Sequence, residues 1–250
     1  MGQTRQTIVR LVLGLACAWP STALAAEESQ SASLAAPPPS PIVLDPGHGG
    51  RDLGAVVGGR REKDIALDVA RKVKERLEGF FGVPARLTRD SDAYLGLDDR
   101  VRESLDWRAS IFVSLHVNQV RLKGARGITV YAFGRSRRAR LRRARRRLPY
   151  LGAPPRQEVR ESADLAESVA DSLRSRGFNA GPPERADYYV LKNPGVPSIL
   201  IELGFLSNPK EAERLSDPAY QDALALAIAQ SLCSYAAAAV PRPAQLARKP

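Results

Sequence analysis

The sequence predicts an α/β layered domain, and three observations carry that prediction. Short segments rich in Val, Ile and Tyr alternate with segments whose apolar residues recur every three or four positions, so strands and helices take turns along the chain. The 250 residues are 44% hydrophobic and 26% charged, a balance that suits one sizeable core and one domain. No internal repeat interrupts the alternation.

The chain opens with features of a secretory signal. Arg5 and Arg10 are followed by the apolar stretch LVLGLACAW and the small-x-small site Ala23-Leu24-Ala25, so residues 1–26 are expected to be cleaved on export. The apolar part falls well short of the ~20 residues a membrane span needs, and no transmembrane helix is expected in the mature protein. A lipoprotein signal at Cys17 is a weaker alternative, because Gly14 stands where such signals usually carry Leu. Residues 27–41, EESQSASLAAPPPSP, form a flexible Ser/Ala/Pro-rich linker. The folded domain is expected over residues 42–239, with a basic tail over 240–250. Without Cys17, Cys233 stands alone on the apolar side of the last helix, so the fold must hold without a disulfide even in an oxidising compartment.

Within the domain, the strand candidates are Ile42–Leu44, Ala85–Thr88, Ile111–Leu115, Ile128–Phe133, Tyr188–Leu191 and Ser198–Leu203. Four helices follow a 3.6-residue period. Ile65, Val69, Val73 and Leu77 line the first; Leu97, Val101 and Leu105 the second; Leu165, Val169 and Leu173 the third. The last starts at Asp217-Pro218, an N-cap with Pro at the first helical position, and buries Leu224, Ile228 and Leu232. The net charge of +11 is concentrated in RSRRARLRRARRR, Arg135 to Arg147, which holds nine arginines and no acid. That run, within a basic Arg/Pro-rich insertion over 135–157, suits an anionic envelope surface: wall polymer, lipid headgroup or lipopolysaccharide. A solvated loop is the plainer alternative. Nucleic acid is not expected, because the chain reads as exported and the run lacks aromatic residues for stacking.

The chain has two histidines. His48 follows the first strand inside DPGHGGRDLGA, where glycines let a large group approach the backbone. His116 and Asn118 end the buried-type strand IFVSLHVN. Ligands of open α/β sheets bind beyond the carboxyl ends of strands, so a shared site competes evenly with two separate structural roles. Glu62 opens the helix that follows the His48 loop. Alone it would be a first-turn acid favoured by the helix dipole; with both histidines it completes the two-nitrogen, one-carboxylate set of a catalytic zinc site. Glu202 is the single acid in SILIELGFL, a strand that reads as central. Either a salt bridge to Lys or Arg explains it, or it is a base beside the metal.

In their order and spacing, DPGHGGRDLGA, the Glu62-Lys63 helix start, LTRD (87–90), SLHVN and IELGFLSNP resemble the zinc-dependent N-acetylmuramoyl-L-alanine amidases of the amidase-3 type, which are bacterial cell-wall hydrolases. The resemblance covers most of residues 42–235. It implies a mixed, mostly parallel central sheet of about six strands flanked by helices. It also implies one Zn2+ per chain on His48, Glu62 and His116, with Glu202 as the catalytic glutamate that activates water against the amide between N-acetylmuramic acid and L-Ala. Peptidoglycan is the implied partner, and a monomer in the periplasm or cell wall is expected. Asp45 and Asn118 are candidates for a supporting or substrate-binding role, against a purely structural one. Two alternatives stand beside this reading: a catalytically inactive wall-binding or regulatory protein on the same fold, and another zinc peptidase or deacetylase of the envelope. The chain departs from the family pattern at Ser104-Leu105 and Ala109-Ser110, outside the metal set. Regulated members carry an insertion that plugs the site with a helix. Here the matching region is the arginine run and LPYLGAPP, followed by Glu158 and Glu161.

Overall fold

The computed structural model describes residues 39–134 and 152–238, all within one unit of the chain, Pro38–Pro250. The expected signal, most of the linker, the run Arg135–Arg147 and the basic tail lie outside the described residues. In chain order the elements are β1 (Ile42–Pro46), β2 (Val56–Val57), β3 (Arg60–Arg61), α1 (Glu62–Phe81), β4 (Ala85–Leu87), α2 (Leu97–Asp106), β5 (Ile111–Asn118), β6 (Thr129–Phe133), α3 (Arg156–Ser175), β7 (Glu184–Ala186), a 3-10 helix (Tyr189–Lys192), β8 (Ser198–Phe205), α4 (Pro209–Leu215) and α5 (Pro218–Ala238). Six strands form one sheet in the order β4-β1-β5-β8-β6-β7. Its strand pairs are parallel except β6 against β8, so the expected mixed, mostly parallel sheet is present. Among the described residues no helix is long and apolar enough to cross a membrane.

The sheet has two unlike faces, because successive side chains point to opposite sides. Ile42, Leu44, Val113, Leu115, Ile199 and Ile201 point to one face and pack against α1, α3 and α5 in the main core. A fully buried Leu or Ile of this kind contributes about 1.5–3 kcal/mol. Val43, Phe112 and Leu200 point to the other face, under Val190 and Leu191 of the 3-10 helix. The same alternation puts Asp45, Ser114, His116 and Glu202 on this second, thinly covered face. Register sets Asp45 beside Ser114 and His116 beside Glu202.

Several expectations need correction. Tyr188–Leu191 is not a strand but the start of the 3-10 turn that roofs the second face. Its exposure does not alternate, since Val190 and Leu191 are both buried while Tyr188 is 41% exposed, and among the described strands none pairs with it. In α2, Leu97 and Leu105 are exposed; the inward face is Arg100, Val101 and Ser104, because Arg100 has a buried carboxylate to meet. Strands β5 and β8 run further than expected, to Asn118 and Phe205; the extension brings His116 inside the sheet, where Glu202 was already expected. Cys233 is half-buried at the margin of the core. Helix α4 was not anticipated, although Asn208 caps it with hydrogen bonds from Lys210 N and Glu211 N and Pro209 opens it.

Candidate metal centre and cleft

Three elements bring the donor set together at the carboxyl edge of the parallel strands. His48 hangs from the turn after β1, Glu62 is the first residue of α1, and His116 projects from β5. His48 Nε2 lies 3.1 Å and His116 Nδ1 2.8 Å from Glu62 Oε1, and the rings meet edge to face at 4.9 Å between centroids. One ligand atom from each residue lies within 4.8 Å of the others, so the three could hold a metal ion. The surrounding glycines follow from this crowding. A Cβ on Gly47 would stand 2.6 Å from His116 Nδ1, and one on Gly54 would stand 2.6 Å from both Glu62 Oε2 and His48 Cδ2. His48 itself has φ 59°, a left-handed conformation that a non-glycine residue keeps only when its surroundings hold it there.

Buried cations provide that hold. Arg100 donates to Asp45 Oδ1 at 2.6 Å, to Pro46 O at 2.8 Å and to His48 O at 2.6 Å. Arg89 donates to the carbonyls of Pro46, Gly47, Lys63 and Ser91. Lys63 ties Gly50 O to Asp92. Asp52 accepts from the His48 ring, Nδ1 to Oδ2 at 2.9 Å, which fixes the ring and leaves Nε2 facing Glu62. Backbone N–H groups of Ala55 and Val117 hold the two Glu62 oxygens at 2.8 and 3.0 Å. Burial alone would raise the Glu62 pKa, but hydrogen bonds and charge from His116 and His48 take it far below the usual carboxylate range. Burial lowers His48, and Glu62 and Asp52 more than reverse this, leaving it raised.

Glu202 faces the same space and is treated oppositely. Its Oε2 is buried without a hydrogen-bond partner, and among the described residues no Lys or Arg pairs with it. Burial pushes its carboxyl up to about 7, an effect that His116 and His48 oppose and Glu62 reinforces. A cleft of about 680 Å³ lies over this constellation, with Tyr94 and Leu97 on its wall as well as Tyr188 and Asn118. Asn118 follows a register shift in β5 that comes after His116. Asp45 also borders the cleft, yet it is fully buried and accepts from Thr88 Oγ1 at 2.6 Å, Ser114 Oγ at 2.7 Å and Arg100. It acts through Arg100 on the His48 turn. Sequence reasoning missed Asp52, Arg89 and Arg100. Asp52 and Arg89 stand within the motifs DPGHGGRDLGA and LTRD, yet nothing local marks which groups they reach; Arg100 stands outside every quoted motif. Glu158 and Glu161 lie far from this constellation, near the start of α3 on the main-core face, where Ser162 Oγ accepts from Ser198 N at the opposite end of β8.

A mostly parallel α/β sheet that carries, at its strand ends, a His–Glu–His set able to hold a metal ion and a partnerless buried carboxylate is the arrangement of a hydrolase. The chain belongs to the family described as N-acetylmuramoyl-L-alanine amidase, whose model matches residues 42–234. It is 32% identical over 217 residues to the N-acetylmuramoyl-L-alanine amidase AmiC of Neisseria meningitidis, covering 78% of this chain and 52% of that protein. It is 31% identical over 218 residues to AmiA of Escherichia coli, covering 78% and 75%. The chain thus spans about half the length of the first relative and three quarters of the second. Among solved structures, AmiC2 of Nostoc punctiforme matches with 32% identity and a TM-score of 0.65 over 78% of this chain and 96% of that one. The CwlD amidase of Clostridioides difficile, solved in complex with the GerS lipoprotein, matches with 28% identity and a TM-score of 0.65 over 80% and 100%.

Proposed function

We propose that the protein is an exported, zinc-dependent N-acetylmuramoyl-L-alanine amidase that cleaves peptidoglycan between the lactyl group of N-acetylmuramic acid and L-Ala. The observation that carries this reading is the partnerless Glu202 carboxyl beside His48, Glu62 and His116 in one cleft. Two imidazoles and one carboxylate are a donor set suited to zinc. When bound, the ion supplies Lewis acidity toward the scissile carbonyl and toward water. His48, Glu62 and His116 would hold it, with Asp52 and the Arg100 clamp keeping His48 in place. Glu202 takes the proton of the attacking water as the new C–O bond forms. It returns that proton to the L-Ala nitrogen as the C–N bond breaks. A carboxyl poised near neutral pH can do both. Asn118 and Tyr188 line the cleft and would touch substrate there.

The export reading rests on residues 1–26, and the arginine run Arg135–Arg147 is read as a tether to an anionic envelope surface. Mass spectrometry of purified muropeptides after incubation with protein and zinc tests the reaction. Free stem peptide and an intact glycan unit are expected. Cuts elsewhere would mean another hydrolase, and no cut would mean a binding protein on the same fold.

A further inference from the structure

Arg51 sits between His48 and Asp52 in the glycine-rich turn and is exposed. Its guanidinium lies 4.2 Å from the centroid of the Tyr94 ring, and Tyr94 lines the cleft. The other cations around the turn are committed. Arg100 is bound to Asp45 and two carbonyls, Arg89 to four carbonyls, and Lys63 to Gly50 O and Asp92. Among the described residues, Arg51 has neither a hydrogen bond nor an ion pair, so its five donors are unspent. The two nearby acids do not neutralise it. Asp52 is turned to the His48 ring and Gly54 N, and Asp92 to Gly50 N and Lys63. Stacking on an aromatic face holds a planar guanidinium ready for a planar anion and lowers the entropy lost when one binds.

The chemistry of the substrate says which anion this is. In a muramoyl peptide the lactyl carboxyl is tied up in the scissile amide and the glycan repeat carries no charge. The anions belong to the stem peptide. The one nearest the scissile bond is the free carboxylate of the residue after L-Ala, which occurs in some peptidoglycans as the carboxamide instead. We propose that Arg51, stacked on Tyr94, is a carboxylate clamp at the rim of the cleft that receives this group and makes the acid form of the stem peptide the preferred substrate over its amidated form. This rests on the amidase reading given above.

The test uses two soluble muramoyl peptides that differ only in carboxylate or carboxamide at that residue, with the full-length zinc-loaded protein. The KM of the acid form is expected to be roughly ten-fold lower, the low end for a charge-assisted hydrogen bond. Arg51→Gln should bring the ratio of the two KM values to near one. Arg51→Lys should recover only part of it, because an ammonium supplies charge without the fork or the stack. Equal KM values in the unaltered protein, or a ratio that survives Arg51→Gln, would overturn the clamp. So would a loss in Arg51→Gln that is the same for both peptides. If neither peptide is cleaved, the amidase reading fails, and calorimetric binding of the same pair then decides the clamp. Tighter binding of the acid form that Arg51→Gln abolishes supports it, and equal binding sinks it.

Discussion

A carboxyl in a mostly apolar strand, with one oxygen sealed from water and from every donor, is costly unless something else occupies its space. Glu202 is such a group, and Glu62, which lies on the same cleft, is its opposite: both of its oxygens are held and its charge is favoured. On the function proposed above, one would hold the ion and the other would react. Glu202→Gln should therefore keep the fold and the metal content, by elemental analysis, while turnover of muropeptides falls by ~10²–10⁴. Full turnover in a metal-loaded variant would remove Glu202 from the chemistry. Asp52 belongs to the same scale. Losing its bond to His48 Nδ1 frees the ring, so Asp52→Ala should weaken zinc binding by ~10–100-fold in a competition titration with a coloured chelator. His48, Glu62, His116 and Glu202 were legible in the sequence because histidine is scarce here and a lone acid in an apolar strand is conspicuous. Asp52 was not, because acids in glycine turns are ordinary and only the closed turn shows that this one reaches back.

At the scale of elements, β1 and α2 are joined by one buried pair, Asp45 and Arg100. Burial raises the Asp45 carboxyl, and the Arg100 charge with the bonds from Thr88, Ser114 and Arg100 more than reverses this, leaving it below its usual value of 3.8. A group depressed on folding contributes stability that is fully present above its unfolded pKa and is lost as pH falls through the folded one. The unaltered protein should thus lose stability as pH drops below about 4. Asp45→Asn should be less stable by about 3–5 kcal/mol at pH 7, because Arg100 keeps its charge without a counter-ion, and should show less of the acid-dependent loss. Urea midpoints across pH measure both. This pair also marks the limit of sequence reading at the element scale. Leu97, Val101 and Leu105 form a proper apolar stripe, and local periodicity alone would turn it inward. The partner that turns Arg100 inward instead comes from 55 residues away in the chain. The three central strands β1, β5 and β8 were legible because both of their faces are covered, so their apolar runs are nearly continuous. The short β2–β3 and β7 carry too few residues to show a period.

At the scale of the whole molecule, charge is the dominant sequence feature, and +11 is largely one run of nine arginines. Exposed charges act over about one Debye length, ~8 Å at physiological salt. Binding of the protein to isolated sacculi should weaken steeply as salt rises, and replacing residues 135–147 with Ser/Gly should reduce it while sparing turnover of small soluble muropeptides. Unchanged binding at low salt would rule out the tether, and lost turnover in a folded variant would tie the run to the cleft. The direction of β6 bears on this. It runs against β8, with Thr129 beside Glu202 and Ala132 beside Ile199, so Gly134 emerges five residues past the level of Glu202, ~16 Å along the strand. Helix α3 sets out from that same far edge, near Ser198. The two ends that bracket residues 135–151 therefore leave the sheet on the side away from the cleft. A segment exchanged there, a fluorescent reporter included, would be joined to the sheet about 16 Å along β6 from the level of Glu202, so its attachment points leave the strand ends that carry His48, His116 and Glu202 as they are.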